Sequence, residues 1–354
     1  MNETKFPPVF NSEELAQNEL RKKDLIELVS SKRAVLMVGA GSSKFAGFPL
    51  LKELIDELGK QFDPSSSLPM DSDPIIYADQ IKDKIRRDGR IKEYYKLLER
   101  TFQPKASGNH TDFHRTLVQL GFSGIITTNY DIVLETAISA AFTNGDKHWY
   151  CKPIDLCLGD KTYRVFDFLR SLSSNNNYNQ VLHLHGCWDN PEKIILTEKN
   201  YLDAYGELRK DELGILDKIH RKVLWALLSM HSFLFVGFSM EDPFFMRMLT
   251  IVQQDFALEA EPIHYAIMPV TEEIEETRVH LKREKLNEEI IKVREHLKRK
   301  GIEPLFYKVP RVKTTMEAPD HRGLEKLVYE LANSLGVDVG SPGIVDVTRK
   351  MMER

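Results

Sequence analysis

The chain has 354 residues, 42% of them apolar and 29% charged, with a formal net charge of −4. That length and apolar content suit one large domain, or a domain with a sizeable insertion, and the small negative balance gives no global push toward nucleic acid or a membrane surface. No apolar run reaches the ~18 residues of a membrane span, and the opening stretch MNETKFPPVFNSEELAQNEL lacks the apolar core of a signal peptide.

The first predicted element is a helix near Glu13 to Ser30, followed by a strand, Ala34 to Val38, that stops at Gly39-Ala40-Gly41. Helices then dominate: about Leu50 to Phe62, Pro74 to Arg87, Ile91 to Phe102 and Asp112 to Leu120. The run GFSGIITTNYD supplies a second strand, Gly124 to Thr127. The segment AAFTNGDKHWYCKPIDLCLGDKTYRVF has mixed signals and reads as an excursion from the core, and SSNNNYNQ reads as a polar loop. Strand character returns at VLHLHG and, weakly, at KIIL. Helices follow at Glu198 to Tyr205 and Glu212 to Met230, then a buried strand, Phe233 to Val236, with a turn and helix after it. IHYAIMP is a further strand, Thr271 to Lys300 a long charged helix, and EPLFYKV and RGLEKLVYELANSL a last strand and helix. No internal repeat is present.

Short apolar strands alternating with helices predict an α/β fold, a doubly wound, largely parallel Rossmann-like sheet with helical insertions. Near-continuous hydrophobicity in the strands fits burial on both faces. Ligands of such sheets bind beyond the carboxyl ends of the strands. Three polar clusters fall there: Gly39 to Ser43, Thr127 to Asp131, and Gly237 to Asp242.

Gly39 and Gly41 let the backbone turn sharply and approach a pyrophosphate, with amide donors from the helix N-terminus and hydroxyls from Ser42 and Ser43. The stretch is not a P-loop, and Lys44 stands where a full dinucleotide fingerprint has its third glycine. A tight turn with no ligand is the competing reading. Thr128, Asn129 and Asp131 sit at the end of the second strand, where Asp131 also suits a helix N-cap. VLHLHG places His183 and His185 on one face of a strand. His183 is assigned to the core. His185, nearer the strand end and followed by a glycine, is the acid/base candidate. Cys151, Cys157 and Cys187 form neither a disulfide framework nor a C-x-x-C pair, so no metal is expected and the setting is read as a reduced cytoplasm.

The ordered set GAGSS, TTNYD, LHG and VGFSMEDP resembles the motifs of the sirtuin-like (silent information regulator) superfamily. On that resemblance residues 31–335 form an NAD-binding catalytic domain with helical insertions, after a helical segment over 1–30 and before a tail over 336–354. Two departures separate the chain from the superfamily's protein deacylases. GFPLLKEL stands where those have a Pro-Asp-Phe-Arg element, and their four zinc-binding cysteines are missing. What remains is similar to the prokaryotic antiphage-defence effectors that hydrolyse NAD.

The resemblance implies NAD as substrate, with Gly39, Ala40, Gly41, Ser42 and Ser43 cradling the pyrophosphate. Asn129 would orient water or the ribose hydroxyls, His185 would accept a proton, Asp131 would support the ribose, Ser239 and Asp242 would lie near the adenosine end, and Thr128 and Gly237 would also bind the nucleotide. It also implies a separate sensor or activator, such as a HerA-type ATPase or, second, a short Argonaute. Neither nucleic acid nor membrane is an expected direct partner. An NAD-dependent deacylase or ADP-ribosyltransferase, and a noncatalytic NAD- or ADP-ribose-binding module, stay open beside the hydrolase.

In the long charged helix Val279, Leu286, Ile290, Val293 and Leu297 form a narrow apolar seam. Such a seam either packs on the chain's own sheet or meets another subunit. A helix of about 30 residues spans about 45 Å, longer than a sheet needs, so a homo-oligomer with contacts on this helix or the neighbouring excursions is the expectation.

Overall fold

The computed structural model describes residues 12–63, 73–105, 109–142, 151–159, 162–173, 180–207, 218–256, 263–273, 290–311 and 321–337. In chain order these give α1 (Ser12–Ser30), β1 (Ala34–Val38), α2 (Ala40–Ser43), α3 (Leu51–Phe62), α4 (Pro74–Arg87), α5 (Ile91–Phe102), α6 (Asp112–Gln119), β2 (Ile125–Thr127), α7 (Val133–Phe142), β3 (Lys152–Asp155) and α8 (Thr162–Ser171). There follow β4 (Gln180–His183), α9 (Glu198–Tyr205), α10 (Ile219–Met230), β5 (Ser232–Val236), α11 (Pro243–Asp255), β6 (His264–Glu273), a helix α12 over 290–298, β7 (Ile302–Arg311) and α13 (Arg322–Ser334).

The strands form one seven-stranded sheet in the order β3-β4-β2-β1-β5-β6-β7, and every pairing is parallel. Without β3, the remaining six follow the doubly wound dinucleotide-fold order, with the first strand central and the direction of winding reversed beside it. The reversal falls between β1 and β5.

Alternation of side chains along each strand divides the core in two. Val35, Met37, Ile126, Leu182, Phe233 and Phe235 pack into one face. Ala34, Leu36, Val38, Ile125, Val181, Leu234 and Val236 pack into the other. Both faces are covered, which is why these strands read as unbroken apolar runs rather than alternating ones. A third cluster, with Leu54, Ile55, Leu58, Ile81, Leu97 and Leu98, belongs to α3, α4 and α5. These helices form a lobe with its own core beside the sheet.

Four expectations are corrected. The mixed segment after α7 contributes β3, a parallel edge strand. KIIL is not a strand: Lys193 ends a short 3-10 turn, and Ile194, Ile195 and Leu196 run on without regular structure. They are apolar because Ile194 and Leu196 fill the helical lobe while Ile195 fills the sheet core. The strand of VLHLHG stops at His183, so His185 lies beyond it. The charged helix does not begin at Thr271, because β6 continues through Glu273.

Val279 and Leu286 of the charged seam lie outside the described residues. Ile290 packs with Val270 and Phe306 of β6 and β7, and Leu297 enters the main core. This half of the seam is therefore spent on the chain's own sheet. At the far edge, α1 covers β7. The Asn18 amide donates to the Phe306 carbonyl at 3.0 Å and accepts from the Phe306 N–H at 3.4 Å, satisfying backbone groups that an edge strand otherwise leaves open. Arg21, on the same helix, pairs with Glu303.

Candidate functional site

The strand register brings the motifs together. Asp155 pairs with His183, His183 with Thr127, Thr127 with Val38, and Val38 with Val236. Five strands thus end in a single row. The polar motifs start at that row or just past it, at Thr127, Gly39 and Gly237.

At the centre, the glycine turn after β1 lies against the turn after β5. Gly39 N–H donates to Val236 O at 3.0 Å and Gly41 N–H to Gly237 O at 2.8 Å. A β-carbon on Gly39 would come within 2.5 Å of Gly237 O, and one on Gly41 within 2.9 Å of the same atom. Gly237 itself has φ of 64°, the left-handed region that favours glycine, and a β-carbon there would fall on the Ser42 amide nitrogen. These glycines are thus required by a contact between two loops of the protein. Ser42 N–H is also engaged, with Gly39 O at 3.1 Å, and its hydroxyl donates to the same carbonyl.

The Asn129 side chain crosses from the β2 loop to this turn. Its amide NH₂ donates to Gly39 O at 3.1 Å and to Ser43 Oγ at 2.8 Å. Its Oδ1 is buried without a partner among the described residues. The Thr127 hydroxyl holds the loop from beneath, donating to Val38 O and accepting from Asn129 N–H. Asp131 lies two residues before α7, accepts from the N–H of its first residue, Val133, at 3.0 Å, and also bonds Ser43. Burial raises the Asp131 carboxyl above the usual range, and those two hydrogen bonds hold the shift back. Thr128 is half-buried and Ser239 exposed, with Ser239 Oγ accepting from Glu241 N–H at 3.3 Å.

His183 and His185 occupy opposite electrostatic settings. His183 is fully buried, as its core assignment requires. Its Nδ1 lies 2.9 Å from Asn129 O and its Nε2 2.7 Å from Glu135 Oε1. Both neighbours are acceptors, so both ring nitrogens carry hydrogen and the ring is an imidazolium. Burial opposes that charge, but the Glu135 carboxylate outweighs it and raises the His183 pKa. The bonded Asn129 carbonyl ties this pair to the site. For His185 no carboxylate among the described residues is in direct contact, and burial pushes the ring down to about 3. It is neutral at any physiological pH.

Around His185 lies an aromatic cluster not foreseen from the sequence. Tyr205 Oη is 3.0 Å from His185 Nε2, and Tyr201 Oη is 3.5 Å from Nδ1. Tyr201 donates to Asp242 Oδ2 at 2.8 Å, while Asp242 Oδ1 caps α11 by accepting from Phe245 N–H. Phe244 stacks on Tyr201 with centroids 4.8 Å apart. Asp242, expected at the adenosine end, is therefore joined to His185. The available signal was NYLDAY, whose tyrosines stand four apart on one helix face. His114 was also missed. Its Nδ1 accepts from Thr111 N–H, so its Nε2–H donates to Ser42 O at 3.0 Å and steadies the glycine turn from behind.

An open groove of about 400 Å³ adjoins the exit of the glycine turn, lined by Lys44, Phe48, Glu53, Arg100 and Thr101 among others. Asn129, Asp131 and His185 are not part of its lining. Among the described residues, no group of three or more His, Cys, Asp or Glu side chains is placed to hold a metal ion. No disulfide joins the three cysteines, and Cys157 Sγ lies 3.6 Å from His220 Nε2. No helix of the described residues is long and apolar enough to cross a membrane.

With this geometry, the chain resembles the sirtuin-like superfamily. The SIR2-like domain model matches residues 123–294, a span that begins just before β2 and leaves the glycine turn outside. Among particular proteins, the NAD(+) hydrolase ThsA of Enterococcus faecium is 25% identical over 251 residues, covering 70% of this chain and 45% of the relative. The NAD(+) hydrolase ThsA of Cytobacillus dafuensis is 25% identical over 229 residues, covering 64% of this chain and 39% of the relative. The chain spans less than half the length of these curated relatives.

The glycine contact gives a direct test. Gly237→Ala adds overpacking against Ser42 to a left-handed backbone penalty, together about 2–5 kcal/mol. Gly159, with nothing within 4 Å of an added β-carbon, is the control. Denaturant unfolding is expected to show the large loss for Gly237→Ala and a change under about 1 kcal/mol for Gly159→Ala.

Proposed function

We propose that the chain is an NAD+ glycohydrolase that cleaves NAD to nicotinamide and ADP-ribose. The observation that carries this reading is Asn129. Its amide NH₂ is pinned to the glycine turn while its buried Oδ1 has no partner among the described residues. A buried acceptor left open costs free energy unless a ligand fills it, and a water or a ribose hydroxyl is the donor it lacks. The motif order, the SIR2-like match and the two NAD(+) hydrolase relatives support the same reading.

The bond broken joins the pyridinium nitrogen to the ribose anomeric carbon. Its electron pair returns to nitrogen, so nicotinamide leaves neutral and needs no strong general acid. The ribose carbon passes through an oxocarbenium-like state, as in glycoside cleavage. Water then forms the new carbon–oxygen bond and loses one proton. Asn129 Oδ1 positions that water or the ribose, Asp131 lies close enough to Ser43 and Asn129 to support the ribose, and His185 receives the proton. With its low pKa, His185 passes that proton on to solvent rather than keeping it.

The resemblance to defence effectors extends the proposal to depletion of cellular NAD on phage infection, in a homo-oligomer or under a separate sensor such as a HerA-type ATPase. An effector of that kind must be held inactive until triggered, and the closed aromatic cluster over His185 suits such restraint.

Asn129→Ala and His185→Ala are each expected to lower NAD turnover about 10²- to 10⁴-fold with the fold retained, read by chromatography of NAD and its products. His183→Ala is expected to act first on stability, by about 3–5 kcal/mol, because it strands the buried Glu135 carboxylate. If His183→Ala folds normally and is inactive while His185→Ala is active, the two roles are reversed.

The pH profile carries a separate expectation. The profile of kcat/KM reports the free enzyme, in which His185 has already lost its proton far below neutrality. The rate is expected to stay level between pH 8 and about 5.5. A fall centred near the ordinary histidine value of ~6.5 would show a base in another environment.

A further inference from the structure

Resting on the proposed hydrolase reading, the geometry points to a positioning role for Tyr201: we infer that Tyr201 couples the Asp242 carboxylate to His185 and fixes the imidazole as its Nδ1–H tautomer, leaving the Nε2 lone pair for the reaction. The inference starts from hydrogen-bond polarity. Asp242 sits at the N-cap of α11, where its carboxylate accepts from the Phe245 N–H at 2.8 Å and also from the Phe244 amide. Burial raises the Asp242 carboxyl above its usual range, and the hydrogen bonds from Phe245, Tyr201 and Phe244 hold that shift back by favouring the carboxylate, which has acceptors only. Tyr201 therefore spends its single hydroxyl proton on Asp242 Oδ2, at 2.8 Å. What the Tyr201 oxygen still offers is a lone pair. Facing it at 3.5 Å is His185 Nδ1, so that nitrogen is the one that carries hydrogen.

The other side of the ring completes the assignment. A neutral imidazole with hydrogen on Nδ1 has its lone pair on Nε2. Tyr205 Oη stands 3.0 Å from Nε2 and donates to it. The order of donation runs Tyr205 to His185 to Tyr201 to Asp242. It has the logic of a serine-protease triad, in which a buried carboxylate holds a histidine in one tautomer. Here a tyrosine is interposed between the two. The ring contacts hold the geometry: His185 meets Tyr201 edge-on at 5.1 Å and Tyr205 edge-on at 5.9 Å.

Two consequences follow for the reaction. Tyr201 touches no reacting atom, so its loss acts through the orientation of His185 and lowers kcat more than it raises KM. Tyr205 occupies the position on Nε2 that the attacking water needs. The resting site is thus closed by a hydroxyl that the water replaces when NAD binds.

The test uses Tyr201→Phe, which keeps the ring and its stacking on Phe244 but removes both hydrogen-bonding functions. Long-range nitrogen–proton NMR of histidine-labelled full-length protein reads the His185 tautomer, with the signal assigned by its loss in His185→Ala. The wild type is expected to show hydrogen on Nδ1, and Tyr201→Phe a mixture of the two tautomers. The kcat for NAD is expected to fall about 10- to 100-fold, with KM within about threefold. Asp242→Asn retains a good N-cap residue and serves as the second variant, with the same shift toward a mixture expected. A wild-type ring with hydrogen on Nε2, or a Tyr201→Phe spectrum identical to wild type, overturns the inference whether or not NAD is cleaved. The expected tautomers in a wild type that never cleaves NAD would leave the coupling standing and remove the hydrolase reading.

Discussion

Two loops meet at the centre of this molecule with no side chain between them. Gly39 and Gly41, after the first strand, lie against Gly237, after the fifth, closely enough for the Gly41 amide to bond the Gly237 carbonyl. The contact sits where the winding of the sheet reverses, the place where strand-end loops diverge and leave a crevice in a doubly wound fold. Three side chains of the site bond it directly. Asn129 bonds Gly39 O, His114 bonds Ser42 O, and Asp131 reaches Ser43. A glycine turn of this kind is commonly read as a phosphate cradle. Here the amides of Gly39, Gly41 and Ser42 are already engaged within the protein. Its first service is to bring two strand-end loops into register.

The buried charges are arranged around that frame. Glu135 and His183 form an ion pair in the core, and its free ring nitrogen holds the Asn129 carbonyl. A buried pair is weak evidence for stability in its own right, because desolvation cancels most of the attraction. It does fix the backbone of Asn129 in one place. His185, by contrast, is kept neutral and surrounded by phenols. Two histidines two residues apart thus take different protonation states, set by whether a carboxylate touches the ring.

Much of this was legible in the sequence because local physics and global fold agree there. Val35 to Val38 is apolar throughout and is a central strand. Residues 74–87 and 91–102 match their helices because Asp73 with Pro74 marks the start of the first, and the helical spacing of Tyr94, Leu97, Leu98 and Phe102 marks the second. The failures are equally physical. Lys152–Asp155 is an edge strand with one exposed and one half-buried residue, too short and too polar to stand out. Ile194 to Leu196 are as apolar as a strand because they bridge two cores. Asn129, Asp131 and His185 could be named from motif order. Tyr201, Tyr205 and His114 could not, because their meaning depends on which helix packs over which strand end.

The central claim is that these loops form one site that breaks the nicotinamide–ribose bond with water as acceptor. Proton NMR of NAD mixed with an equal concentration of the protein, alone and with a HerA-type ATPase as candidate activator, follows nicotinamide and ADP-ribose as they form. The expected result is their appearance in equal amounts with no peptide or acceptor protein added, and none with Asn129→Ala. NAD that stays intact under both conditions, or nicotinamide released only when an acylated peptide or an ADP-ribose acceptor is supplied, would contradict it.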